Sequence, residues 1–317
     1  MTFSAKDFIE TDEGLLFALI PAAPEKNKLL CFLRYVKEPT FGWKKYPTQQ
    51  ANRFLQSHYP EYLYYSAQLD AQVHAVPSAK VIKHYQPKPS LQRLVQRAPC
   101  DQVEADVHTL CALLQATGIE LSLLGITGSI LVGVHNAASD IDLVCYGRTI
   151  FQQVRVQVAQ LITEERLSAL SAQDWLDAYT RRSTSLCLSD YIWHEQRKIN
   201  KAVVNNRKFD LNLLVEKPRD LGLGYKKIRT VCLQAQVIND DYAFDNPAEW
   251  LIASAEISVV ICFTATYTGQ ARAGEWIEVA GVVEENAHGN QRIVVGSTRE
   301  AEGEYIKVLR HEPAILP

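Results

Sequence analysis

No apolar run in this chain approaches the length of a bilayer span; the longest, around Ile257 to Phe263, is the size of a buried strand. No membrane partner is therefore expected. Met1 to Phe8 lacks the basic stretch and apolar core of a secretory leader, so none is expected there. A global basic excess is also missing. The formal net charge is -3, which removes the simplest sign of a nucleic-acid binder. The seven cysteines are odd in number and none stands at Cys-x-x-Cys spacing. That argues against a zinc ribbon or a disulfide framework and fits a reducing cytoplasm. There is no Walker A sequence and no Gly-x-Ser-x-Gly elbow. Gly222-Leu223-Gly224 has Lys227 where a dinucleotide turn needs its third glycine. His194-Glu195-Gln196-Arg197-Lys198 opens like a zincin helix but carries Lys198 in place of the second His. Internal repeats and low-complexity segments are absent.

The 317 residues, 47% hydrophobic and 22% charged, suit a soluble protein of two or three domains. Charge is unevenly spread. Basic residues outnumber acidic ones from Arg181 to Arg229, and the balance reverses from Asp240 to Pro317.

Patterning suggests an α+β chain in three parts: a small N-terminal α+β unit (1–98), a central unit of helices and strands (99–238), and a β-rich C-terminal unit (239–317), OB-like or a sandwich. In the first part, 14–20, 29–36 and 71–76 are predicted strands and Thr48 to His58 a helix stopped by Pro60. Ser78 to His84 is predicted helical, and Pro87-Lys88-Pro89 suggests a linker. In the centre, Asp101 starts a helix whose apolar face is Val103, Val107, Leu110, Cys111 and Leu114, with Gly118 placed to end it. A second amphipathic helix is expected over 149–162, and a third from an Ser189 cap to about Lys201. Asn205-Asn206 between two apolar runs signals a hairpin, since Asn tolerates positive φ. After Asp240 the strand candidates are 256–267, 276–284, 292–297 and 305–309.

The chemistry concentrates between Gly128 and Leu143. Asp140 and Asp142 are one residue apart in an apolar strand, so both point to one face while Ile141 and Leu143 point to the core. Two such carboxylates can hold the same divalent cations. Just upstream, the Gly128-Ser129 turn offers backbone N–H groups and a hydroxyl to a phosphate; Ser129 also reads as a simple helix N-cap. Asp210, in a second apolar strand, is costly to bury unless paired or metal-bound. Its two readings are a third metal ligand or a partner of Lys208, with Glu216 as the fallback carboxylate. His194, Arg197, Lys198 and Lys201 recur at offsets of three, four and seven, which gives one basic helix face. That face is either a clamp for a triphosphate or an RNA backbone, or a solvated surface.

These residues carry a resemblance. Gly128 to Leu143, with Asp210 on a later strand, resembles the DNA polymerase beta superfamily of nucleotidyltransferases. The resemblance covers roughly 102–215 and implies a mixed sheet with helices packed on it there. More loosely, the whole chain is similar to predicted nucleotidyltransferases of archaea and cyanobacteria, which share a segment like Trp193 to Lys198. The resemblance implies Mg²⁺ (or Mn²⁺) held by Asp140, Asp142 and Asp210, an NTP such as ATP with its phosphates on Gly128 and Ser129, and attack of an acceptor hydroxyl on the α-phosphate. Arg197, Lys198 and Lys201 are the further nucleotide-binding candidates. The superfamily leaves the acceptor open. RNA leads, from the basic central segment and the OB-like end. A protein or small-molecule acceptor, or a non-catalytic nucleotide-binding regulatory module, is the alternative. The acidic C-terminal unit also reads as a homo-oligomer interface.

Overall fold

Runs of β-branched and aromatic residues dominate the N-terminal part of the chain, and most of them become strands. The computed structural model describes residues 2–40, 42–182, 184–215, 224–298 and 301–310. The fold is a mixture of helices and strands, with three sheets and seven α-helices among the described residues. None of those helices is long and apolar enough to cross a membrane. The chain divides into two compact units: Met1–Ser66, Gln72–Leu170 and Ile199–Arg219 form one, and Ala67–Ala71, Ser171–Lys198 and Asp220–Pro317 the other.

The first unit begins with a seven-stranded sheet. Its strands are β1 (Phe8–Thr11), β2 (Leu15–Leu19), β3 (Lys28–Glu38), β4 (Gly42–Lys45), β5 (Leu63–Ser66), β6 (Ala71–Pro77) and β7 (Val81–Tyr85), in the order β5-β6-β3-β2-β1-β7 with β4 paired to β3. Successive side chains alternate between faces, and both faces are covered. Ile9, Leu15, Phe17 and Leu33 pack with Ala51 and Leu55 of α1 (Thr48–His58). Phe8, Leu16 and Tyr35, on the other face, pack with Leu131 and Val132.

A second, four-stranded sheet carries the central motif. It consists of β8 (Leu124–Thr127), β9 (Ile141–Tyr146), β10 (Lys201–Val204) and β11 (Arg207–Leu214), in the order β10-β11-β9-β8. Strands β9 and β11 are parallel and the other two pairs antiparallel. The helices of this unit after α1 are α2 (Pro87–Val95), α3 (Gln102–Ala116), α4 (Gly128–Leu131) and α5 (Arg148–Thr163). The Asp101 side chain caps α3 by accepting from the Glu104 N–H at 2.9 Å. The predicted apolar face of α3 is its buried face. On α5 the buried stripe is Phe151, Val154, Val158 and Leu161, with Ile150 and Ile162 at its margins. Asn205 and Asn206 both take positive φ in the β10–β11 hairpin.

Several sequence expectations need correction. Only Ser78–Lys80 of the predicted 78–84 helix is helical, as a 3₁₀ turn; the rest is β7, which pairs antiparallel with β1. A strand partner satisfies that backbone better than a short helix can. Pro87-Lys88-Pro89 is not a linker but the first turn of α2, where a proline lacking its N–H costs nothing. Helix α2 packs so closely on β8 that a Cβ at Gly125 would lie 2.8 Å from the Pro87 and Lys88 backbone. The division expected after residue 98 is no unit boundary, because the N-terminal sheet shares a core with the segment after the Gly128-Ser129 turn.

The second unit holds α6 (Ala172–Thr180), α7 (Leu188–Lys198) and the strands β12 (Lys226–Tyr242), β13 (Ala248–Ala253), β14 (Val259–Cys262), β15 (Trp276–Glu285), β16 (Gln291–Val295) and β17 (Tyr305–Val308). The sheet order is β12-β13-β14-β16-β15-β17, and β12 also pairs with β15. Five strands therefore close into a ring, β12-β13-β14-β16-β15, in which only β14–β16 is parallel. Val237, Trp250, Val260, Ile277 and Ile293, one from each strand of that ring, are buried. Two strands, β12 and β13, precede or escape the predicted set, and α6, started by a Ser171–Asp174 capping box, was not anticipated. Helix α7 begins before Ser189 and ends at Lys198, so Ser189 is no cap and Lys201 lies on a strand.

Candidate active site

Four residues form one row across the four-stranded sheet. Thr127 on β8 stands opposite Asp142 on β9, Asp142 opposite Asp210 on β11, and Asp210 opposite Lys201 on β10. Directly opposed residues share a face, with Cβ atoms about 4.5–5.5 Å apart. Asp140 sits one residue before β9 begins. The neighbours Ile141, Leu143, Phe209 and Leu211 are buried on the opposite face, while Asp140, Asp142 and Asp210 are half-buried. The alternation seen in sequence thus places all three aspartates on one side.

Electrostatics reflect that gathering. Burial, then the charge of Asp210, pushes the Asp142 carboxyl up to about 6; Lys6 pulls it down, Asp140 raises it further, and Lys45 pulls it down again. Three like charges on a half-buried face are unfavourable by themselves. An opposing positive charge, a divalent cation above all, relieves them.

The Gly128-Ser129 turn abuts this row. Gly128 has φ +68°, and a Cβ there would lie 2.3 Å from Asp142 Oδ2. Only glycine fits both the left-handed backbone and the carboxylate beside it. The α4 helix that follows has four residues, so any anion here would be met by the turn's own amides and the Ser129 hydroxyl rather than by a helix dipole. The Thr127 hydroxyl, just before the turn, donates to the Lys6 carbonyl at 2.9 Å.

Residues that sequence reasoning missed hold the Asp140 loop. Arg207, at the start of β11, donates to Asp106 Oδ2 at 2.7 Å and to the carbonyls of Ala137 and Ser139 at 2.9 and 2.6 Å. Asp106 is 1% exposed. Burial alone would raise its pKa, but bonds from Arg207, Gln102 and Asn205 hold the carboxyl below its usual range. An acidic residue among the apolar positions of α3 was the available signal. Within the loop, Ser139 Oγ accepts from the Asn136 N–H at 3.0 Å, and His135 Nε2 bonds Asp101 Oδ2 at 2.9 Å. Tyr35, buried on the N-terminal sheet, feels Asp142 directly: burial, offset by Arg34, raises its phenol and the Asp142 charge adds to the rise.

The predicted basic helix face does not exist as a face. Lys198 is 1% exposed, with its ammonium on Glu195 at 2.5 Å and on the Thr266 carbonyl at 2.8 Å. Arg197 pairs with Glu275 and lies over Trp193. His194 is buried too. These side chains bind α7 into the second unit and are not offered to a nucleotide. Lys201, by contrast, belongs to the first unit and stands beside Asp210. Glu216 lies outside the described residues.

The donor set can be tested for a metal. Among the described residues no group of three or more His, Cys, Asp and Glu side chains is drawn together at ligand distances. The chemistry of the donors nevertheless suits a hard cation: three carboxylates on one face, no competing thiol or imidazole among them, and mutual repulsion expressed in Asp142.

No family model and no solved structure matches the chain. It is 34% identical over 342 residues to a protein of Methanocaldococcus jannaschii named "Uncharacterized protein MJ1086", a match that spans 98% of this chain and 100% of that one.

Proposed function

We propose a function for this chain, which belongs to the family of the uncharacterised protein MJ1086, from its own site: metal-dependent transfer of a nucleoside monophosphate from an NTP to an acceptor hydroxyl. The observation that carries this reading is the row Thr127–Asp142–Asp210–Lys201 with the Gly128 turn set against Asp142. A carboxylate row beside a Gly-Ser turn that can offer backbone N–H groups to a phosphate is what nucleotidyl transfer needs. It fits the resemblance to polymerase beta-like nucleotidyltransferases and their mixed sheet.

Asp140, Asp142 and Asp210 would hold Mg²⁺ or Mn²⁺, which when bound neutralises the α-phosphate and makes the acceptor hydroxyl more acidic. The turn amides of Gly128 and Ser129, with the Ser129 hydroxyl, receive the phosphates. The acceptor oxygen bonds to the α-phosphorus as the α–β bridging P–O bond breaks. Pyrophosphate leaves with that electron pair. Asp210, at the middle of the row, takes the hydroxyl proton. Lys201 stands next to it across the β10–β11 register.

RNA is the acceptor we favour. The strand order of the closed ring, first-second-third-fifth-fourth with a parallel pair between third and fifth, supports an OB-like barrel, an architecture that suits oligonucleotide binding. A homo-oligomer interface is the alternative use of that acidic unit, and light scattering on the purified protein reads it.

The test incubates purified protein and Mg²⁺ with each α-labelled NTP in turn, adding total RNA or a protein extract, with Asp140→Asn as control. Label in RNA that is lost in the control supports a tailing enzyme and names its base. Label in protein redirects the acceptor. NTP binding without any transfer supports a regulatory module, and no NTP binding at all overturns the reading.

A further inference from the structure

Thr127 and Asn212 hold one residue from the far end of the chain across the carboxylate row. The Thr127 hydroxyl donates to the Lys6 carbonyl at 2.9 Å, and Lys6 Nζ donates to Asn212 Oδ1 at 2.9 Å. Thr127 lies on β8 opposite Asp142. Asn212 lies on β11 two residues beyond Asp210, so it shares that face. It is itself fixed by an Nδ2 bond to the Leu143 carbonyl at 3.3 Å. Strands β8 and β11 flank β9, two interstrand spacings or roughly 9.6 Å apart. Lys6, anchored at its carbonyl over one and at its ammonium over the other, crosses β9 where Asp142 stands.

The backbone that delivers this side chain is built for the purpose. Asp7, 2% exposed, accepts the Ser4 N–H at 3.0 Å and bonds His84 Nε2 at 2.7 Å. The Phe3 ring packs on His84 with centroids 4.7 Å apart. Between these anchors Lys6 takes φ +70°, a left-handed conformation uncommon for a lysine. Lys45, on β4 opposite Tyr35, adds a second positive charge that Asp142 feels.

We propose that Lys6 binds the polyphosphate of the nucleotide, presented to it by the Ser4–Asp7 turn of the N-terminal sheet, with Lys45 as a flanking contributor. This rests on the nucleotidyltransferase reading of the same site. The logic is charge balance. Once cations occupy the three aspartates, the carboxylates no longer need Lys6, while an arriving triphosphate brings about four negative charges that the turn amides alone do not offset. A lysine on a strand-anchored turn meets them as a point charge on a flexible stem. The N-terminal sheet is thereby part of the site rather than an appendage to it.

The test measures equilibrium binding of Mg²⁺–pyrophosphate and of a non-hydrolysable Mg²⁺–NTP analogue to the full chain and to Lys6→Ala, Lys6→Met and Lys6→Arg. Lys6→Met keeps the apolar stem if Lys6→Ala does not fold. Losing a charge-assisted contact is expected to weaken both ligands by about tenfold or more. Lys6→Arg should remain within a few-fold of the parent, and Lys45→Ala should lose about two- to threefold. Parent-like pyrophosphate binding in folded Lys6→Met overturns this assignment alone. Failure of the parent chain to bind either ligand overturns the nucleotidyltransferase reading and Lys6 with it.

Discussion

At Gly128 the backbone and a neighbouring carboxylate impose the same demand. Its φ is +68°, and an added methyl would meet Asp142 Oδ2 at 2.3 Å. Gly128→Ala is therefore expected to displace Asp142, abolish transfer, and cost about 1–3 kcal/mol of stability from the left-handed strain. Urea unfolding together with the label-transfer assay reads both effects. Asp142→Asn separates them. In the metal-free protein it removes a charge that burial and Asp210 already disfavour, so its melting temperature should match or exceed the parent's while transfer disappears. A drop of several degrees with activity retained would sink the site. The aspartates and the glycine were legible in the sequence, because period-two alternation and the Gly-Ser turn are local properties. Their partners Thr127 and Lys201 were not, since cross-strand register is not written in the spacing of either strand.

Arg207 shows what a strand start can do for a loop. It joins β11 to the buried Asp106 of α3 and to the two carbonyls that precede Asp140. Arg207→Ala would leave Asp106 buried without its ionic partner, at a cost of about 3–5 kcal/mol, and should reduce transfer by releasing the Asp140 loop; a thermal melt beside the activity assay checks both. In the second unit α7 is fastened to β17 through His194. Its Nδ1–H donates to the Asp190 carbonyl at 2.6 Å, and Nε2 accepts the Val308 N–H at 3.0 Å. Burial, with the Lys198 and Arg197 charges, pushes this imidazole down to about 4 against the weaker pull of the Asp190 bond. The unfolded chain, with an ordinary histidine near 6.5, binds the proton first. Stability is thus fully present above about pH 6.5 and falls as pH drops toward 4, by up to about 3 kcal/mol. Denaturant midpoints across that window should show the slope, and His194→Gln should lose most of it. The sequence placed this histidine on a helix; its burial, and that of Lys198, came from the packing of α7 within its unit.

For the molecule as a whole, the net charge of -3 means that any RNA affinity must come from local cations. If RNA is the acceptor, log affinity should fall with log salt at about 0.7 per phosphate contacted. Filter binding from low to moderate salt measures it, and a flat profile would assign the barrel to protein contacts instead.

Residues adjacent in sequence determined the carboxylate motif, the αL glycine, the Asp101 cap, the Asn205-Asn206 turn and the apolar faces of α3 and α5. Each depends on a spacing of a few residues, and local sterics alone decide it. Tertiary structure decided which cations meet the carboxylates. Arg197 and Lys198, the nearest lettered candidates, are committed to Glu275, Glu195 and Thr266. Lys201 reaches Asp210 through the β10–β11 register. Lys6 arrives from the turn that precedes β1, 206 residues from Asn212 along the chain. Periodicity says which face a side chain takes, but only strand order and the shared core of two sheets say what lies opposite that face.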